Sequence, residues 1–453
     1  MCFHGLRGLL LACLLLPGSV PGAAAPPPRL CINLIPGFRF SSQVRPELRL
    51  FSGEAARCEV RAERNHRTLR TLATVDLEAG REAHVALDLT GIRGALDVTC
   101  QFRNAAGATL GTRSHACEVV DSGSRSTRLL DGAWVSLYHW SEDEGRRFNP
   151  DLGRLTAREW QGQVHAMARA GIRQIIIQNV FECDEYAGKH AMTAATYHGK
   201  AYYPSALYPG RHALGASDPV EAILSAADAD GVHVFLGVGL FAWFDFSAES
   251  LAWHKAVTAE LAARYGRHAS LYGWYVSEEI FGSLYHEWEP LKPERYRDLV
   301  DFFTAYQAFV RDLTPTKPVA LAPNNERFET WAAEWAEILP HVDILIPFGF
   351  ARDADHMNVP AVAEICRKAG TRFWVDMEMF AWPIQRGLAP KTAPELVKEI
   401  RLYDDLEQIC GYQFTGIMNA PDSRRNLGGS RAKALYAGYL DYYRRQAHTG
   451  DKP

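Results

Sequence analysis

The sequence predicts an α/β protein, a (β/α)8 TIM barrel preceded by a small all-β sandwich. Three observations predict it. Residues 30–120 carry short strand-like runs separated by turn residues, with no sustained helical period. From Leu129 onward, buried strand-like runs alternate strictly with amphipathic helical ones, the signature of a parallel sheet wrapped by helices. The strands in that alternation number eight, which closes a barrel. A chain of 453 residues is long enough for both units.

Residues 1–25 read as a cleavable secretory signal: Arg7, an apolar run from Leu9 to Leu16, a Pro-Gly break and Ala23-Ala24-Ala25. The run is too short to span a bilayer, so no membrane span is expected. Acylation at Cys13 is the less favoured alternative. The expected location is secreted or periplasmic, where cysteines tend to oxidise. Disulfides are therefore expected among Cys31, Cys58, Cys100 and Cys117, with connectivity open. The remaining Cys183, Cys366 and Cys410 are odd in number, leaving at least one free thiol if pairing stays within each domain.

In the sandwich, an immunoglobulin-like domain over 30–120, strand-like runs cover Glu47 to Phe51, Cys58 to Ala62, Leu69 to Leu77, Ala83 to Leu89, Ala95 to Phe102 and Ser114 to Val120. It lacks a planar aromatic stripe and reads as a spacer or partner surface. Residues 121–128 form a polar linker, and the barrel occupies 129–447. Its strands are expected at Ala133 to Trp140, Gln174 to Val180, His233 to Phe241, Tyr272 to Glu279, Pro318 to Pro323, Ile344 to Phe348, Phe373 to Met379 and Gln413 to Met418. Its first long helix starts at Thr156 with Glu159 three residues on, a capping box.

Two of these strands end in carboxylates. Side chains alternate along a strand, so Trp274, Val276 and Glu278 share one face of the fourth, and Tyr275, Ser277 and Glu279 the other. The greasy face packs on helices; the polar face looks into the barrel and puts Glu279 at the inner rim. The seventh strand repeats this, with Phe373, Val375 and Met377 outward and Trp374, Asp376 and Glu378 inward. Barrel chemistry is done at that carboxyl-end rim.

The run Trp274-Tyr-Val-Ser-Glu278-Glu279 resembles the Trp-x-x-x-Asn-Glu ending of strand four in clan A of the glycoside hydrolases, with Glu278 in place of Asn. Asp376-Met-Glu378-Met-Phe380 fits the glutamate that the clan carries at the tip of strand seven. With Trp134-Val-Ser-Leu-Tyr-His-Trp140 and Tyr202-Tyr-Pro-Ser205, the barrel is also similar to a poorly characterised group of bacterial glycosidase-like barrels. The resemblance implies a retaining glycosidase with Glu279 as acid/base and Glu378 as nucleophile. Such cleavage needs two carboxyls, one to protonate the leaving oxygen and one to attack or activate water. Asp376 or Glu278 would tune a partner, although parity aims Glu278 outward. The bland alternative is that these acids pair with arginines at the rim.

Other strand ends offer groups suited to sugar binding: Tyr138, His139 and Trp140; Gln178 and Asn179; Trp243; Tyr275; Asn324; Trp382; Asn419. Flat aromatic faces stack on sugar C–H surfaces, and amides and acids meet hydroxyls. His139 is either a donor to a sugar hydroxyl or a satisfied core group. The long connection from Phe181 to Ser217 and the segment Phe281 to Trp288 are candidate cleft walls.

The expected substrate is an extracellular or cell-envelope polysaccharide. A net charge of −4 without basic clusters argues against nucleic acid. No close Cys/His spacing suggests zinc, so neither metal nor cofactor is expected. Two rival readings stay open: a barrel that binds exopolysaccharide without cutting it, as a binding or assembly factor, and a metal-dependent barrel hydrolase using one carboxylate as general base.

Overall fold

The computed structural model describes residues 29–182, 193, 195–207, 210–242, 244–284, 295–352 and 358–449. The signal-like residues 1–25, Cys183, Trp243, and parts of both candidate wall segments lie outside the described residues.

The sandwich has two sheets. Strands β1 (Leu30–Ile35), β3 (Glu47–Ser52) and β6 (Glu82–Ala86) pair antiparallel in the order β1-β3-β6. Facing them are β2 (Arg39–Ser41), β4 (Ala56–Arg64), β5 (Arg67–Leu77), β7 (Gly94–Arg103) and β8 (Thr109–Val120), ordered β2-β8-β7-β4-β5. Period-two patterning does the folding. Ala56, Cys58, Val60 and Ala62 of β4 and Leu96, Val98, Cys100 and Phe102 of β7 all point into one core. Asn65 and His66, both at positive φ, form the two-residue turn that joins β4 to β5. β1 and β2 were not among the expected strands. The six described cysteines, Cys31, Cys58, Cys100, Cys117, Cys366 and Cys410, are all free thiols, which corrects the disulfide expectation.

The barrel strands are β9 (Gly132–Val135), β10 (Gln174–Ile177), β13 (His233–Gly237), β14 (Leu271–Val276), β15 (Val319–Leu321), β16 (Ile344–Leu345), β17 (Arg372–Phe373), β18 (Val375–Glu378) and β19 (Ile409–Tyr412). Between β10 and β13, short strands β11 (Phe181–Glu182) and β12 (Lys200–Ala201) pair antiparallel. The parallel sheet runs β17-β16-β15-β14-β13-β10-β9-β19-β18. Its two ends are one run of chain broken only at Trp374. Trp374 donates its N–H to Leu345 O at 3.0 Å, and Val375 donates to Gln408 O at 3.1 Å. That run therefore touches both neighbours and closes the eight-stranded barrel.

Two short helices, α1 (Glu142–Gly145) and α2 (Asn149–Leu152), follow β9. The outer layer comprises α3 (Ala157–Arg169), α4 (Pro219–Asp230), α5 (Ala248–Tyr265), α6 (Arg295–Leu313), α7 (Ala332–Ile338), α8 (Val359–Ala369), α9 (Ala393–Ile400) and α10 (Gly429–Thr449). Thr156 and Glu159 form the reciprocal capping box that starts α3. The barrel strands are shorter than expected, and the eighth is displaced: it is Ile409–Tyr412, not Gln413 to Met418. The segment after it turns at Gly416, whose φ of 83° no strand permits.

The sandwich seals the amino end of the barrel, opposite the carboxylate rim. Ile35 is fully buried in the cluster that fills the barrel interior, with Trp134, Phe235, Tyr272, Ile344 and Trp374. Tyr272 donates its hydroxyl to Leu34 O at 2.6 Å, and Asn33 donates its amide to Tyr272 O at 3.1 Å. The 121–128 linker is itself pinned to the barrel: Ser126 N–H donates to Asp404 O at 2.8 Å and Arg128 holds the Asp404 carboxylate at 3.0 and 2.8 Å.

Gly37 follows this plug closely. A Cβ there would lie 2.5 Å from the His233 ring and 2.7 Å from Tyr272. These rings are stacked 4.8 Å apart and cannot both retreat. Gly37→Ala is expected to lower unfolding stability by about 1–3 kcal/mol through overpacking. Denaturant melts of both proteins check this; an unchanged midpoint would mean that the plug is loosely seated.

Candidate active site

Three features of the rim bring charge into one place. β14 hands its inward face to the loop beyond it, so Tyr275, Ser277 and Glu279 open into a cleft of about 280 Å³. β18 delivers Asp376 and Glu378 to the same cleft, and the loop after β16 delivers Arg352. The outward residues sort as period two requires: Trp274, Val276, Val375 and Met377 join the core beneath the helices.

Glu378 is the last residue of β18 and is 6 % exposed. Its Oε1 accepts from Arg352 Nε at 2.7 Å and also from Nη2 of the same guanidinium. Charge-assisted bonds of this kind orient a carboxylate strongly. Arg352 in turn lies 4.4 Å over the Trp382 ring and 5.3 Å over Phe348. The backbone carbonyl of Glu378 accepts from Lys391 Nζ at 2.6 Å, fixing the strand end.

Glu279 is partly buried, and the environment pushes its carboxyl up to about 7. Burial is the main cause; Arg352 opposes it, while Glu144 and Glu378 add to it. Asp376 shares the inward face of β18 with Glu378. It is 5 % exposed, its Oδ1 has no hydrogen-bond partner among the described residues, and burial with Glu378 nearby holds its carboxyl well above the usual range.

Of the residues expected at the rim, Trp140, Gln178, Asn179, Tyr275, Asn324, Asp376 and Trp382 line the cleft with Glu279 and Glu378. Four described ones do not. Glu278 is fully buried on the outer face, where Oε1 accepts the Phe241 N–H at 2.9 Å and His254 Nε2 stands 4.0 Å away. Parity turned it outward, as period two requires, and burial pushes its carboxyl well up. His139 is fully buried behind the wall, with Nε2 at 3.3 Å from Tyr412 OH; burial lowers its imidazole to about 4. Tyr138 points aside, donating to Glu142 at 2.7 Å and stacking with His212. Asn419 is buried under α10, its amide donating to Arg425 O at 2.9 Å. Its placement followed from the displaced eighth strand; the true strand end is Tyr412.

Tyr412, Arg352, Glu144 and Trp134 are cleft residues that the sequence reading missed. Tyr412 donates to Gln178 Oε1 at 3.1 Å. Glu144, on α1, has its carboxyl raised to about 7 by burial, with Arg352 opposing and Glu378 adding. Its only signal was an acid one turn into a capped helix just after the first barrel strand, at Ser141-Glu-Asp-Glu144. Arg352 had none beyond its place after the sixth strand. Among the described residues, no group of three or more His, Cys, Asp or Glu is placed to hold a metal ion.

The family described as a domain of unknown function (DUF4434) matches residues 130–425, the barrel and its rim up to the loop before α10. The chain belongs to the DUF4434 family. No curated protein matches the sequence. Solved structures similar to this DUF4434 protein include a candidate α-L-fucosidase of Bacteroides thetaiotaomicron, at 19 % identity and a TM-score of 0.49 over 71 % of this chain and 93 % of that one. The β-glucuronidase of Parabacteroides merdae aligns at 11 % identity and a TM-score of 0.41 over 92 % of this chain and 52 % of that one. β-Glucuronidase 2 of Bacteroides uniformis aligns at 12 % identity and a TM-score of 0.45 over 92 % and 50 %. The DUF4434 chain thus spans about half the length of these glucuronidases. Among its described residues, no helix is long and apolar enough to cross a membrane.

Proposed function

We propose that this DUF4434 protein is an exported glycoside hydrolase that cuts an extracellular or cell-envelope polysaccharide with retention. The observation that carries the reading is the meeting of Glu279 and Glu378 in one aromatic-lined cleft, in unlike environments. Glu279, raised to about 7 by burial, is suited to hold a proton for the leaving oxygen. Glu378, oriented by Arg352, is suited to attack the anomeric carbon. Trp140 and Trp382 supply ring faces for the sugar. Incubating the purified protein with a panel of bacterial and plant glycans, and measuring both binding and new reducing ends, tests this. Release that persists in chelator supports it. Binding without release favours a non-cutting exopolysaccharide-binding barrel, a reading that the occupied Oε1 of Glu378 supports.

The pH profile follows from Glu279. Its proton is present below about 7 and lost above it, so kcat/KM is expected to fall as pH rises through about 7. A descending limb that survives unchanged in Glu279→Gln would assign it to another group.

A further inference from the structure

The charge inventory of the cleft is lopsided. Its described lining carries four carboxyl groups, those of Glu144, Glu279, Asp376 and Glu378, against a single cation, Arg352. That cation is committed to Glu378 by two hydrogen bonds to the same oxygen. Among the described residues, the Glu144 carboxyl lies 3.5 Å from the Nε2 of His139 and feels Arg352 at longer range, and burial keeps that imidazole neutral above about 4. Asp376 is the sharpest case: it is nine-tenths buried and faces the cleft, and its Oδ1 has no hydrogen-bond partner among the described residues. Leaving a buried acceptor unmet costs free energy that a ligand donor recovers.

We propose that the sugar received here bears a free amine, so that the substrate class is a de-N-acetylated, hexosamine-containing glycan whose ammonium meets Asp376 and the neighbouring carboxylates. This rests on reading the cleft as a sugar site and names what that sugar must carry. An ammonium offers three donors and a positive charge to a site rich in acceptors. A uronate would set a further carboxyl against the four already there, and an N-acetyl group would bring one weak donor with no charge, whereas an ammonium lets the buried carboxyls ionise against it.

The test is a ligand-observed NMR titration of the full chain with glucosamine, galactosamine and mannosamine, each beside its N-acetyl derivative, its parent hexose and, where one exists, its uronic acid. At least one free amine is expected to bind about tenfold tighter than its acetylated and neutral counterparts, the worth of one charge-assisted hydrogen bond. That preference should shrink with added salt and fall by about tenfold in Asp376→Asn, a near-isosteric change. If the variant does not fold, the wild-type preference and its salt dependence decide alone. Equal or tighter binding of the neutral, acetylated or acidic sugar overturns the proposal, as does the failure of every amine to bind. Amine binding with no glycan cut would sink the hydrolase reading alone. Cleavage of a neutral glycan without amine preference would sink only this one.

Discussion

Glu279→Gln is expected to slow cleavage of a natural glycan by about 10²–10⁴-fold, the usual worth of a positioned general acid. The same change should slow an aryl glycoside with an acidic leaving group far less, because that oxygen departs without a proton. Glu378→Gln, in contrast, should abolish turnover of both substrates, since neither leaving group can replace an attacking carboxylate. Steady-state rates on the two substrates, with thermal melts to show that the variants fold, separate the roles. Equal losses on both substrates in Glu279→Gln would remove it as the acid. The asymmetry has a physical origin at the rim: Glu279 sits beyond the strand among other acids, whereas Glu378 is strand-held and bonded to a guanidinium.

Arg49→Met is expected to destabilise the protein by about 3–5 kcal/mol, the cost of leaving a buried charge without its partner. Arg49 of β3 donates to Asp343 Oδ1 at 2.8 Å across the seam between sandwich and barrel, and both side chains are almost fully buried. Asp343 also accepts from Gln307 at 3.1 Å and from Val319 N–H at 2.8 Å, so it holds the start of β15 as well as the seam. Replacing Arg49 and Asp343 together, as in Arg49→Met with Asp343→Leu, should recover the Asp343 part of the ion-pair loss, but neither the Val319 bond nor the bond from Arg49 Nε to Glu47 at 2.7 Å. Denaturant unfolding of the single and double variants measures this; a single-variant loss under about 1 kcal/mol would put the pair in the class of surface bridges. Despite the desolvation that raises it, Asp343 is held below the ordinary aspartate range by Arg49 and its hydrogen bonds. Its contribution is therefore present above the unfolded aspartate value, near 4, and is lost as pH falls through the lower folded one.

Much of the site was legible in the sequence because strand parity is a local rule. Alternation along Trp274 to Glu279 and Phe373 to Glu378 separates core from cleft, and the structure sorts these residues the same way. Glu278 illustrates its strength: adjacent to Glu279 in sequence, it is buried on the other side of the barrel wall. The eighth strand shows where local reading fails. Gln413 to Met418 is the more strand-like run by composition, yet Ile409–Tyr412 pairs with both β9 and β18 because register with its neighbours decides which run closes the barrel. One error of register moved Asn419 into the expected site and left Tyr412 out.

Cysteines make the same point. Cys58 and Cys100 lie on adjacent strands as a diagonal pair, Cys58 opposite Phe102 and Cys100 opposite Val60, so that their thiols are neighbours without a disulfide, an arrangement that no spacing reveals. Their thiols stay free in one apolar core.

What the sequence dictated, then, was whatever repeats along the chain: the sandwich, the strand and helix alternation, the capping box of α3, and the inward aim of Glu279, Asp376 and Glu378. These follow from periodicity and side-chain alternation, which act over a few residues. What only the tertiary structure decided was who meets whom. Arg352 reaches Glu378 across 26 positions, Glu144 joins the cleft from α1, and Ile35 of the sandwich plugs the barrel floor. Such contacts depend on barrel closure and packing between distant segments, and neither leaves a local mark on the residues that it brings together.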